Sequence, residues 1–146
     1  SAGGQLTTNV PCGPLTVDAI PGLRLALTTN PQPLSLTVRL STGETLETNL
    51  HLPQTIPAIV LKAYAFGARS AERDLLDLWK LLETARSVGI NAADWRPVHA
   101  QKQDALRHLE RSVIPATSVA GNIARARGWP HERIAALARQ HVSARR

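Results

Sequence analysis

Ile56 to Ala85, IPAIVLKAYAFGARSAERDLLDLWKLLETA, is the stretch that most narrows what this chain can fold into. Its apolar residues recur at helical spacing on both sides of Gly67-Ala68-Arg69-Ser70, which predicts two helices joined by a short turn. Pro57 suits a first helical turn, where its missing N–H is not needed. Ile59, Val60, Ala63, Tyr64 and Phe66 give the first helix a broad apolar face, and Gly67 is expected to end or loosen it. Ser70 is the expected N-cap of the second helix, with Glu72 and Asp74 well placed in its first turn. Leu75, Leu78, Leu82 and Ala85 form its buried stripe, and Gly89 terminates it.

The chain before this pair reads as β structure. Gln5–Asn9 and Leu15–Ile20 are short β-prone runs around the turn-forming Pro11-Cys12-Gly13-Pro14, and Leu23–Thr28 is expected to extend a β segment. Leu34, Leu36, Val38 and Leu40 alternate strictly, and Ser41-Thr42-Gly43-Glu44 turns that strand into Thr45–Leu52, predicting an antiparallel hairpin. Beyond Gly89 the pattern is helical. Asn91 caps a short turn ending at Pro97, and Val98–Val113 is a polar amphipathic helix. Thr117–Arg127 is a further helix, and Gly128-Trp129-Pro130 leads into a last one from His131 to about Val142. Ser143-Ala144-Arg145-Arg146 is expected to fray. The fold class is therefore α+β: an N-terminal antiparallel or mixed sheet, then a helical C-terminal region. The boundary is expected between residues 1–90 and 91–146.

A chain of 146 residues, 43% of them hydrophobic, is long enough to bury a core. No apolar run approaches the roughly 20 residues that cross a bilayer, so no membrane partner is expected and a cytoplasmic location is the default. The single cysteine, Cys12, excludes an internal disulfide and a cysteine-based zinc site. The five histidines show no metal-ligand spacing, and no glycine-rich phosphate loop is present.

The charge is uneven. Residues 1–97 hold eight Lys/Arg and eight Asp/Glu, whereas residues 98–146 hold nine basic residues against three acids, which carries the whole net +6. Arginine grips phosphate in a bidentate fork, so Arg107, Arg111, Arg125, Arg127, Arg133 and Arg139 are candidate nucleic-acid contacts. A solvated helical surface explains the same residues equally well.

Lys62 stands in an otherwise apolar helix. Its stem can pack while its head reaches water, or its ammonium can meet a phosphate as a point charge. Asp74 and Asp77 share one helix face. Arg73 can pair with Asp77 four residues on, or Lys62 can pair with these acids across the turn. Asp18, alone in its strand, is not a metal site by itself, because Mg²⁺ chemistry on nucleotides generally needs at least two carboxylates.

In combination these pieces resemble the nucleotidyltransferases of the AbiEii/AbiGii toxin family. The matching order is Val17-Asp18-Ala19-Ile20, a hairpin region, Ala58-Ile59-Val60-Leu61-Lys62-Ala63-Tyr64-Ala65, then Arg69-Ser70-Ala71-Glu72-Arg73-Asp74-Leu75-Leu76-Asp77-Leu78. The match covers roughly residues 5–90, and residues 91–146 look like a variable helical end. The resemblance implies a nucleotidyltransferase-like fold and transfer of a nucleotide from an NTP, with Mg²⁺, to RNA. In several members that acceptor is the 3′ end of tRNA, and the toxin is neutralised by a cognate antitoxin. It places Asp18 as a metal-binding and catalytic carboxylate and Lys62, with Arg69 and Arg73, at the nucleotide. Asp74 and Asp77 support catalysis.

The chain departs from the family at one motif. The family's Gly-Gly/Ser and Asp-x-Asp pair should precede Asp18, and no acid does. With no methionine and a Ser-Ala-Gly-Gly start, the sequence reads as the C-terminal portion of a longer or processed enzyme, inactive alone. The alternative is a noncatalytic nucleic-acid- or protein-binding module derived from that fold.

Overall fold

The computed structural model describes residues 7–145, with side chains from residue 11 onward except at 12, 17–19 and 145. Two antiparallel hairpins lead the chain: β1 (Thr7–Cys12) with β2 (Leu15–Ala19), and β3 (Gln32–Arg39) with β4 (Thr45–Leu52). They form two separate two-stranded sheets rather than the single sheet expected from the sequence. In the second hairpin Leu34 faces Leu50, Leu36 faces Thr48 and Val38 faces Leu46. Side-chain alternation therefore collects the aliphatic residues on one face and Ser35, Asn49, Thr37 and Glu47 on the other.

Between the hairpins, Leu23–Thr28 is helix α1 and not an extension of the sheet. Its Leu, Arg and Ala residues favour helix, and Leu25 is packed against the helical core where a strand would have no partner.

The helical body comprises α2 (Thr55–Arg69), α3 (Glu72–Ser87), α4 (Ala100–His108), α5 (Val119–Arg127) and α6 (His131–Val142). The α3 stripe is buried as its spacing predicts: Leu75, Leu78, Leu82 and Ala85 are all fully covered. They meet Ile59, Val60 and Phe66 of α2, Leu106 of α4 and Ile134 and Leu137 of α6 in one cluster. This core runs across residue 90 without a break. Asn91 caps a 3-10 turn, Ala92–Trp95, through a reciprocal pair with Asp94, and this turn sends Trp95 into the core.

Three local expectations are corrected. Gly67 neither ends nor loosens α2, which continues to Arg69. The expected helix over Val98–Val113 divides into α4 and a π-turn, Leu109–Val113, in which the Ile114 N–H reaches back to the Leu109 carbonyl at 3.0 Å. The wider turn keeps both Leu109 and Val113 in the core. Ser143–Arg145 forms a 3-10 turn instead of fraying, because Ala144 packs on the core.

Candidate functional site

Two residues, Ser70 and Ala71, reverse the chain between α2 and α3. Ser70 was expected to cap α3. Instead it ends α2 in the left-handed region, φ 52°, and its N–H donates to the Phe66 carbonyl at 2.8 Å. Ala71 occupies the N-cap position of α3 with no side-chain cap, so Glu72 and Asp74 supply the negative charge at that helix start.

This tight reversal lays α3 beside α2 and brings Lys62 onto both acids. The Lys62 ammonium donates to Asp77 Oδ2 at 2.7 Å and to Asp74 Oδ1 at 3.4 Å. Arg69 donates to Asp74 through Nε at 3.1 Å and through Nη2 at 3.0 and 2.8 Å. Asp74 is 3% exposed, and both of its oxygens are bonded to a cation. Of the two arrangements left open by the sequence, the pairing across the turn is the one formed, and Asp77 turns to Lys62 rather than to Arg73.

The hydrogen bond from Lys62 holds the Asp77 carboxyl below its ordinary range. Partial burial opposes this, and the charges of Lys62, Arg73 and Lys80 reinforce it. Asp77 therefore stays ionised at neutral pH and has no proton to donate. Lys80, not singled out in the sequence, joins the site because it lies one turn beyond Asp77; that spacing was the available signal.

The group has chemical capacity left over. An ammonium has three N–H donors and a guanidinium five. Lys62 spends two on Asp77 and Asp74, and Arg69 leaves its Nη1 donors out of the Asp74 bonds. The Lys62 side chain is 33% exposed and that of Arg69 58%. Two further cations of α3, Arg73 and Lys80, add their positive charge at Asp77. The arrangement can take an anion.

It does not fit a divalent cation. Both Asp74 oxygens and one of Asp77 are committed to Lys62 and Arg69, and a metal would have to displace these charges. Among the described residues no group of three or more His, Cys, Asp or Glu side chains could hold a metal ion. Asp18 lies on β2, and its side chain falls outside those described.

No family model, curated protein or solved structure matches the chain. No helix among the described residues is long and apolar enough to cross a membrane.

The arginines expected to bind nucleic acid do not gather on one face. Arg127 is drawn to Glu72 of α3, and Arg133 donates to both carboxylate oxygens of Glu83 on α3 through Nε and Nη2. Arg107 pairs with Asp104, and Arg125 bonds to the Asn122 side chain and the Ala116 carbonyl. Arg111 and Arg139 are exposed. At about 100° per residue, Arg133 and Arg139 diverge on α6, as do Arg125 and Arg127 on α5. Two of these arginines, Arg127 and Arg133, thus fasten α5 and α6 to α3.

Two buried polar groups were not anticipated from the sequence. The Trp95 indole N–H donates to His141 Nδ1 at 3.0 Å, and Lys102 donates to the Trp95 carbonyl at 2.8 Å. Burial pushes the pKa of His141 and of Lys102 down. On the other side of α2, His108 stands edge-on to Tyr64 with ring centroids 5.3 Å apart. Burial, aided by the charge of Asp104, pushes the Tyr64 hydroxyl up to about 12.

Proposed function

We propose that this chain is the nucleotide-supporting part of an AbiEii-like nucleotidyltransferase, with Lys62 and Arg69 contacting the phosphates of an NTP. The observation that carries the reading is the Lys62–Arg69–Asp74–Asp77 group, whose two cations are held by buried or ionised acids and keep donors free, with Arg73 and Lys80 adding positive charge beside Asp77. Asp74 and Asp77 are positioning residues here: they aim the two cations, hold them at low entropic cost, and move no proton. An RNA acceptor, a cognate antitoxin and a Mg²⁺ ion are part of the family reading, and Asp74 and Asp77 are assigned no metal step. The nucleotidyltransferase-like fold belongs to the same proposal.

Titrating the chain with each of the four NTPs and with inorganic triphosphate tests it. Lys62→Met should weaken binding by about tenfold or more, the loss of one charge-assisted contact. Equal affinity in the parent and Lys62→Met chains would leave Lys62 as a packing residue and sink the assignment. Binding of RNA should weaken steeply as salt rises; a flat salt response would remove the RNA half.

A further inference from the structure

The hairpin β3–β4 has a face that the fold leaves uncovered. Every residue of its two strands except Leu36 and Thr48 is exposed. Leu34, Val38, Leu40, Leu46, Leu50 and Leu52 are each 39–52% accessible. The β3–β4 register, with Leu40 continuing the alternation, puts these six on one side. A two-stranded sheet alone is marginal in water, and a contiguous aliphatic patch of this kind marks a contact surface.

We propose that this face binds the same face of a second copy of the chain, the two hairpins stacking as a minimal two-layer β-sandwich. Three observations favour a second copy. First, the paired strands put no charge on the face: Gln32 and Thr48 are its polar members, Arg39 and Glu47 lie on the opposite side, and the one acid in line with the face is Glu44, opposite Leu40 at its turn end. Second, residues 32–52 hold one basic residue, Arg39, against the acids Glu44 and Glu47, whereas the whole chain is +6. Two copies can therefore meet here without the like-charge repulsion that opposes contact through the basic helices. Third, the patch is extensive for a hairpin. Six aliphatic residues, each 39–52% accessible, would be covered on each copy. Specific interfaces likewise centre on an apolar core with a polar rim. An aliphatic surface packed on its own symmetry mate is self-complementary, as a two-fold interface requires, and aligned sheets stack about 10 Å apart.

Sedimentation velocity of the full chain from about 1 to 100 µM tests the proposal through mass action. The expected result is a rise toward twice 15.8 kDa with concentration. Leu46→Asp combined with Leu50→Lys should return the chain to monomer, while far-UV circular dichroism and the unfolding of the helical core stay unchanged. Glu47→Gln, on the polar face, should leave the dimer intact. A mass of 15.8 kDa at the highest concentration would overturn the proposal and give the face to a different sheet. A doubled mass that survives the Leu46→Asp/Leu50→Lys change would overturn it as well, by placing the contact elsewhere.

Discussion

Replacing Gly67 with alanine should destabilise the protein even though alanine is the better helix former. Gly67 lies within α2, and a Cβ added there would stand 2.3 Å from His108 Nδ1, 2.7 Å from Cε1 and 3.0 Å from Cγ. The imidazole of α4 is thus laid directly on the α2 backbone, where Tyr64, one turn earlier on α2, meets it edge-on. Alanine gains about 1 kcal/mol of helix propensity over glycine. Forcing the ring away costs roughly 2 to 3 kcal/mol, the upper part of the range for overpacking, because His108 must also give up its contact with Tyr64. The net loss should be about 1 to 2 kcal/mol, or a fall in Tm of about 3 to 6 °C for a chain of this size. Urea denaturation followed by circular dichroism measures it. The decisive comparison is made in a His108→Ala background. There the clash is gone, and Gly67→Ala should stabilise by about 1 kcal/mol. If Gly67→Ala is at least as stable as the parent, or if its sign does not reverse in that background, the close approach of α4 to α2 is wrong.

Other outcomes follow from the same geometry. Asp74→Ala should cost about 2 kcal/mol in urea unfolding; the usual penalty for breaking a buried pair is discounted because Arg69 and Lys62 can turn to water. Asp77→Ala, at a half-exposed position, should cost under about 1 kcal/mol, and an equal cost for the two variants would contradict their different burial. Burial keeps the pKa of His108 and of His141 below the ordinary imidazole value. The unfolded chain therefore takes up protons first as pH falls through about 6.5, so stability is full at neutral pH and declines on acidification. The urea midpoint should drop between about pH 7.5 and pH 5; a flat profile would refute the buried, neutral assignment. Asp77 adds a second acid limb. Its lowered pKa contributes stability above the ordinary carboxyl value, lost as pH falls through the folded value, and Asp77→Asn should remove that limb.

What the sequence revealed and concealed divides by the range of the interaction. The α2–α3 pair was legible because its apolar period and its lysine and acids are local, and a short turn leaves few ways to lay one helix on the other. Gly67 was misread because the reason for it, His108, is 41 positions away in sequence. Ser70 carries a capping side chain, but its backbone turns left-handed to end α2, and no local pattern separates the two uses. The C-terminal arginines advertise charge without direction. Glu72 and Glu83 recruit Arg127 and Arg133 across 55 and 50 residues, and only the packed helices determine which arginines are drawn inward. The strands of β3–β4 were legible from strict alternation, but alternation says which residues share a face and not what lies against it.

The unbroken core from Ile59 to Ala138, beside a hairpin whose strands lie almost wholly open to solvent, sets a hierarchy of opening. In the monomer, amides of β3 and β4 should exchange with solvent through fraying of the hairpin alone, and a protease should enter first at Thr42-Gly43. Amides at the centres of α2, α3 and α6 should wait for global unfolding. A cut at residue 90 would not release a unit from this body. It would strip Leu106, Ile134 and Leu137 from Leu75, Leu78 and Leu82, so both fragments would lose the surface that folds them.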